Sequence, residues 1–302
     1  MEKIVDKYFE GERILYGRDN LEIVKTVFGH GESPLKETQD LKIKDSIFTW
    51  KYPLWYSKNI ELENTTFETM ARSGIWYTDN ISIKNSALQA PKLFRRCNNV
   101  KLENVHFSDA QETLWTSKNI EINNSQVNGD YFCKDIENIK INNLNLIGNY
   151  CFDGAKNIEI HNSTLISKDA FWNCENITIY DSTIVGEYLA WNSKKITFIN
   201  CQIQSEQGLN YVTDLTLKNT SLIHSNLVFE YCKDIDADLN TEIESIKNPI
   251  SGEIKAPRIK QLIIDPQKVD PATTKIICAK IDKKSTHSDD NQKERDEIEH
   301  EV

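Results

Sequence analysis

Trp55, Trp76, Trp115, Trp172 and Trp191 recur at intervals of 21, 39, 57 and 19 residues, each close to a multiple of the last. The gaps in that series are filled by Arg95, Lys134 and Asp153, and it runs on to Asn210 and Glu230. Three residues before this row stands a second one with Tyr52, Tyr131, Tyr150 and Tyr188. One residue earlier comes a third, with Asp130, Asn149, Lys168, Glu187 and Glu206. Aromatic rings flanked by carboxylates and cations suit an elongated polar ligand such as a polysaccharide or oligosaccharide. Sugar rings stack on aromatic faces, and charged groups orient hydroxyls or carboxylates. The candidate ligand contacts are Trp76, Arg95, Trp115, Tyr131, Tyr150, Trp172, Tyr188 and Trp191. If the chain is an enzyme, Asp130, Asp153, Glu187 and Glu206 are the acid/base candidates. Lys134 and Lys168, with Arg95, would hold an anionic sugar or, in a lyase, remove a proton. Glu187 and Glu206 on adjacent repeats would stand ~5 Å apart, near the separation of a retaining glycosidase pair.

These rows exist because the whole chain repeats. Take the first apolar residue of each I-x-I-x-N segment as position zero. Repeats then begin at Leu21, Leu41, Ile60, Ile81, Val100, Ile120, Ile139, Ile158, Ile177, Ile196, Leu215 and Ile235, in steps of 19 to 21 residues. From Leu41 to Leu215 position zero is always apolar, as are the residues two and seven further on, such as Ile141 and Leu146 after Ile139. Alternation with period two is a half-buried strand, and the later apolar residue needs a bend before a second strand. Offset four marks that bend with Asn or Asp in every coil from Asp45 to Asn219. Asn tolerates a left-handed corner, and its amide can bond to the same amide one coil on, as in a ladder.

One coil cannot bury its own apolar edge, so coils must stack. The sequence therefore implies an all-β, single-stranded parallel β-helix of about twelve coils, roughly 55 Å long at ~4.8 Å per coil. Residues 1–20 are expected to cap its start, 21–247 to form the solenoid, and 248–284 to supply closing strands with Pro and Gly turns. Residues 285–302 read as a disordered acidic tail. Six residues before position zero, every coil from Leu54 to Phe229 is apolar or small, so this position is expected inward. Alternation then sends the next residue, the tryptophan row, outward. Large aromatics also fill cores; were the rings inward, the third side would be bulky core and no groove.

Composition narrows the partners. Of the formal charge of -10, residues 285–302 carry seven acids against two bases, a net of -5, so the remaining surface gives no electrostatic case for nucleic acid or an anionic membrane. No apolar run approaches the ~18 residues of a membrane helix, and the start MEKIVDKYFEGERILYG lacks the form of a signal peptide. The seven cysteines include no Cys-x-x-Cys pair, and Cys97, Cys133, Cys151, Cys174 and Cys232 take apolar or small positions of the repeat. Reduced core thiols and a cytoplasmic setting are expected. The six histidines are scattered, with no phosphate loop or dinucleotide fingerprint beside them, so neither metal nor cofactor is expected.

The stacked Asn corner resembles that of pectate lyases and polygalacturonases, and right-handedness is an expectation from that resemblance. The polygalacturonase motifs do not carry over. Gly29-His30-Gly31 lies by the first coil and Arg258-Ile259-Lys260 after the last, some ~50 Å apart by coil counting. Trp50-Lys51-Tyr52-Pro53-Leu54-Trp55-Tyr56, Arg72-Ser73-Gly74-Ile75-Trp76-Tyr77 and Lys168-Asp169-Ala170-Phe171-Trp172-Asn173 resemble a bacterial β-helix family, the domain of unknown function numbered 3737. That resemblance spans roughly residues 8–280 and implies a fold without implying an activity. Two functions follow from the residues themselves. One is a carbohydrate-binding or carbohydrate-modifying β-helix using its aromatic side. The other is a non-catalytic scaffold whose aromatic face docks a protein or a second copy, as a homo-oligomer.

Overall fold

The structure, a computed structural model, describes residues 1–286; of the acidic tail expected over 285–302, residues 287–302 lie outside the described residues. Among the described residues there is no helix, and so none long and apolar enough to cross a membrane. The chain is an all-β parallel solenoid. Position-zero residues pair coil to coil from Leu21↔Leu41 through Ile139↔Ile158 to Leu215↔Ile235.

The coil number corrects the expectation: about 15 coils stack, not about twelve. Strand Glu2–Val5, in the stretch expected as a cap, pairs in parallel with Asp19–Val24 as an additional coil. Gly252–Ile263 and Thr274–Ser285, in the stretch expected to close the stack irregularly, continue it in parallel. The three extra coils escape the pattern because Glu2, Gly252 and Thr274 are not apolar. Their offsets two and seven, Ile4 and Phe9, Ile254 and Ile259, Ile276 and Ile281, nevertheless keep the rhythm.

The core is the sum of the inward rows. Position zero, offset two and offset seven are at most 3% exposed throughout the coils from Leu41 to Leu215. At the amino-terminal end offset seven is a stack of rings, with Phe28, Phe48 and Phe67 at centroid distances of 4.8 and 4.6 Å. Each such side chain contributes about 1.5–3 kcal/mol of transfer free energy.

Two corners are lined by amides. At offset four the Asn143 amide donates to Asn124 Oδ1 at 2.8 Å and Asn219 donates to Asn200 at 2.9 Å. One residue before position zero runs a second row not singled out in the sequence: Asn138 donates to Asn119 (3.0 Å), Asn157 to Asn138 (2.9 Å) and Asn176 to Asn157 (2.8 Å). Residues of both rows are left-handed, φ 57° at Asn143 and 60° at Asn138.

In-register stacking sets identical offsets ~4.8 Å apart, where like charges repel. Over four central coils the outward rows avoid this by alternating sign. One residue after position zero the succession is Lys101, Glu121, Lys140, Glu159; two before it stand Lys118, Glu137, Lys156, Glu175. Lys118 and Glu137 approach to 2.7 Å, and Lys156 and Glu175 to 3.4 Å. Each exposed pair adds little, about 0–1 kcal/mol. The row as a whole removes the repulsion that a uniform repeat would accumulate.

Candidate functional site

The third side is held by an unusual backbone. Among the described residues, short strands pair where Ile75–Trp76 meets Phe94–Arg95, and single parallel bridges join Arg95 to Trp115 and Glu206 to Asn226. Elsewhere alternate residues are left-handed: Tyr131, Cys133 and Asp135 at φ 56°, 63° and 52°, and Asp169, Phe171 and Asn173 at 56°, 59° and 55°. Their N–H groups point along the axis in turn. Tyr131 donates forward to the Asn149 carbonyl, Cys133 back to Thr113, and Asp135 forward to Asp153. This zigzag keeps the inward–outward alternation. All ten inward residues from Leu54 to Phe229 are 0% exposed, and the five tryptophans beside them face out, half-buried.

The indoles clip successive coils. Trp76 Nε1 donates to the Lys92 carbonyl at 2.9 Å, Trp115 to Tyr131 at 2.7 Å and Trp172 to Tyr188 at 2.7 Å; Trp55 donates likewise to Ser73. Ring contacts then run unbroken from the Ile60 coil to the Ile235 coil. Trp55 and Trp76 stack at 5.2 Å, and the Arg95 guanidinium lies between Trp76 and Trp115, 4.6 and 4.8 Å from their centroids. Trp115 meets Tyr131 at 6.4 Å, Tyr131 stacks on Tyr150 at 4.8 Å, and Tyr150 meets Trp172 edge-on at 6.3 Å. Trp191 follows at 6.3 Å, joined from the side by Tyr188 at 6.0 Å, then Tyr211 at 4.7 Å and Tyr231 at 5.3 Å. Tyr211 and Tyr231 were missed in the sequence because they stand one residue off the tryptophan row, directly after Asn210 and Glu230.

The charged candidates fall into local pairs. Lys134 Nζ lies 2.5 Å from Asp153, whose other oxygen accepts from the Asn173 amide at 3.1 Å. Lys168 pairs with Glu187 at 3.1 Å. Asp130 accepts the Asn149 backbone N–H at 2.7 Å, and Glu206 accepts from the Asn226 amide at 3.4 Å. The hydrogen bond that Lys134 donates to Asp153 raises its pKa, and that donated by Lys168 to Glu187 raises the pKa of Lys168. Both lysines are thereby held protonated, the opposite of what proton abstraction requires. Glu187 and Glu206 are on adjacent coils, where the Tyr188 N–H donates to the Glu206 carbonyl at 3.0 Å.

Asp169 is a residue the sequence did not single out. It is 2% exposed, and burial raises its pKa; its carboxyl faces the Tyr150 hydroxyl and the Lys168 ammonium. Only its place in the tyrosine row of neighbouring coils could have signalled it. Burial also pushes the thiols of Cys97, Cys151 and Cys232 up to about 12, so none is an available nucleophile at neutral pH.

No curated protein matches the chain. Among solved structures it is similar to PfbA, a surface adhesin of Streptococcus pneumoniae, at 12% identity over 73% of this chain and 71% of that one, with a TM-score of 0.37. It is also similar to the A-module of the Azotobacter vinelandii mannuronan C-5 epimerase AlgE4, at 10% identity over 95% and 89%, TM-score 0.30. A third likeness is to the tailspike of E. coli bacteriophage HK620 in complex with a pentasaccharide, at 8% identity over 91% and 67%, TM-score 0.39. With its stacked coils and aromatic side in view, the chain belongs to the family described as Protein of unknown function (DUF3737), which it matches over residues 2–277.

Proposed function

We propose that the chain is a carbohydrate-binding solenoid whose aromatic side is the platform for an extended, neutral polysaccharide or oligosaccharide. The observation that carries this reading is the row of half-exposed rings from Trp55 to Tyr231, made continuous at the Val100 coil by the Arg95 guanidinium. Outside the Arg95 coil the row advances one aromatic per coil, ~4.8 Å, close to the repeat of a pyranose in an extended chain. Successive sugar rings can therefore meet successive side chains without bending the polymer. Pairing of Lys134 with Asp153, Lys168 with Glu187 and Lys247 with Glu230 neutralises the flanking charges. That disfavours a polyuronate, which would need uncompensated cations along its length. The same pairing occupies Asp153 and Glu187, two of the four acid/base candidates, and favours binding over turnover.

Tryptophan emission titrated with neutral and uronate hexasaccharides tests the proposal. Neutral chains should change the emission saturably, and Trp172→Ala/Trp191→Ala should weaken binding by about 2 kcal/mol or more, as removal of aromatic anchors does. An unaltered affinity in that variant, or a preference for the uronates, would overturn it.

A further inference from the structure

The sheet formed by the position-zero strands carries a second feature unconnected with the aromatic side. An open channel of about 560 Å³ follows its outer face over the five coils from Val100 to Ile177, ending at Tyr180. One wall is the amide row of Asn119, Asn138 and Asn157, and the other is the alternating row that includes Lys140 and Glu159. We infer that this channel is a separate binding site for a linear, neutral oligosaccharide.

The amide wall supplies the recognition chemistry. Asn138 gives one N–H to Asn119 and accepts one from Asn157, so each side chain keeps a further N–H and a further lone pair. A hydroxyl group both donates and accepts, and this wall offers it one donor and one acceptor per coil. The facing wall alternates in sign, with Lys101 and Glu121 at 3.7 Å, so the channel carries no net field for an anionic chain. At one end it is lined by the Tyr180 ring. The Tyr180 ring lies parallel to that of His161 at 4.5 Å, and His161 Nε2 is held 3.0 Å from Glu159 Oε1. A terminal sugar can stack there while its neighbours bond along the amides.

The test reads the channel directly. The full chain, labelled with 15N, is titrated with cellohexaose, mannohexaose and xylohexaose while the side-chain amide signals of Asn119, Asn138 and Asn157 are followed. At least one hexasaccharide should shift these signals saturably. Lys140 is exposed, so Lys140→Trp fills the channel without touching the core and should weaken the titration by about tenfold or more. Trp172→Ala/Trp191→Ala, on the other side, should leave it unchanged, whatever becomes of the ribbon. Silence of all three amides at millimolar sugar would overturn the inference, as would a Lys140→Trp variant that titrates like the parent.

Discussion

The amide corners and the aromatic side solve one problem, turning a chain tightly within each coil, in opposite ways. At the corners the left-handed residues are mostly Asn, such as Asn138 and Asn143, a type that visits this region at low cost and spends its amide on the next coil. On the aromatic side the left-handed residues include Leu114, Phe152, Phe171 and Phe229, at φ 62°, 65°, 59° and 69°. A bulky side chain there costs roughly 1–2 kcal/mol. It persists because each of these residues is 0% exposed and fixed by the packed core. One region is shaped by residue preference and the other by packing that overrides preference. Backbone held against its preference occurs often at functional surfaces, and here it carries the ribbon.

The comparison can be broken by substitution. Phe171→Ala and Trp172→Ala are neighbours on opposite faces of the same backbone. The first should lower the unfolding free energy by about 3–5 kcal/mol through cavity formation. The second should cost only about 1 kcal/mol, for the indole hydrogen bond to Tyr188. Equal losses in denaturant titrations would mean that the tryptophan row is core after all.

At the corners the conformation and the amide can be separated. Asn143→Leu loses the hydrogen bond to Asn124 and places a bulky residue at φ 57°, so a loss of about 1–3 kcal/mol is expected. Asn143→Gly loses only the bond and should cost about 1 kcal/mol. If glycine proved as harmful as leucine, the amide bond alone would account for the corner.

The smallest effect concerns Asp169, whose buried carboxyl has its pKa raised. A carboxyl that binds its proton more tightly when folded favours folding while protonated, and that contribution is lost as pH rises through the folded value. Asp169→Asn should therefore raise the melting temperature modestly at neutral pH, with the gain fading below the ordinary carboxylate range. A gain that persisted in acid would assign the effect to something other than ionisation.

Much of this scaffold was legible because its periodicity and its residue chemistry agree. Position zero, offset two and offset seven were read from apolar type alone, and the structure pairs them coil by coil. The second amide row was passed over because a lone Asn before a strand looks like any polar turn residue; only its recurrence from Asn59 to Asn176 gives it away. The indole bonds were illegible for a different reason. Their acceptors are backbone carbonyls one coil on, such as that of Tyr188, and any residue supplies a carbonyl. Lys134 and Asp153 stood at one offset of successive repeats in the sequence, but that they pair with each other and not with a ligand is seen only in the side-chain contact.

The alternating charge rows also bear on how such a chain can change length. The Ile120 coil opens Lys-Asn-Ile-Glu, the Ile139 coil Glu-Asn-Ile-Lys, and the Ile158 coil Lys-Asn-Ile-Glu again. Excising the Ile139 coil would leave every apolar row continuous but set Lys118 against Lys156 and Glu121 against Glu159. Excising the Ile139 and Ile158 coils together would instead set Lys118 against Glu175 and Glu121 against the neutral Thr178. Within this stretch of the solenoid the unit of growth is therefore a doublet of coils, and a lineage that gains or loses one coil alone there must recode its charges before the stack closes comfortably again.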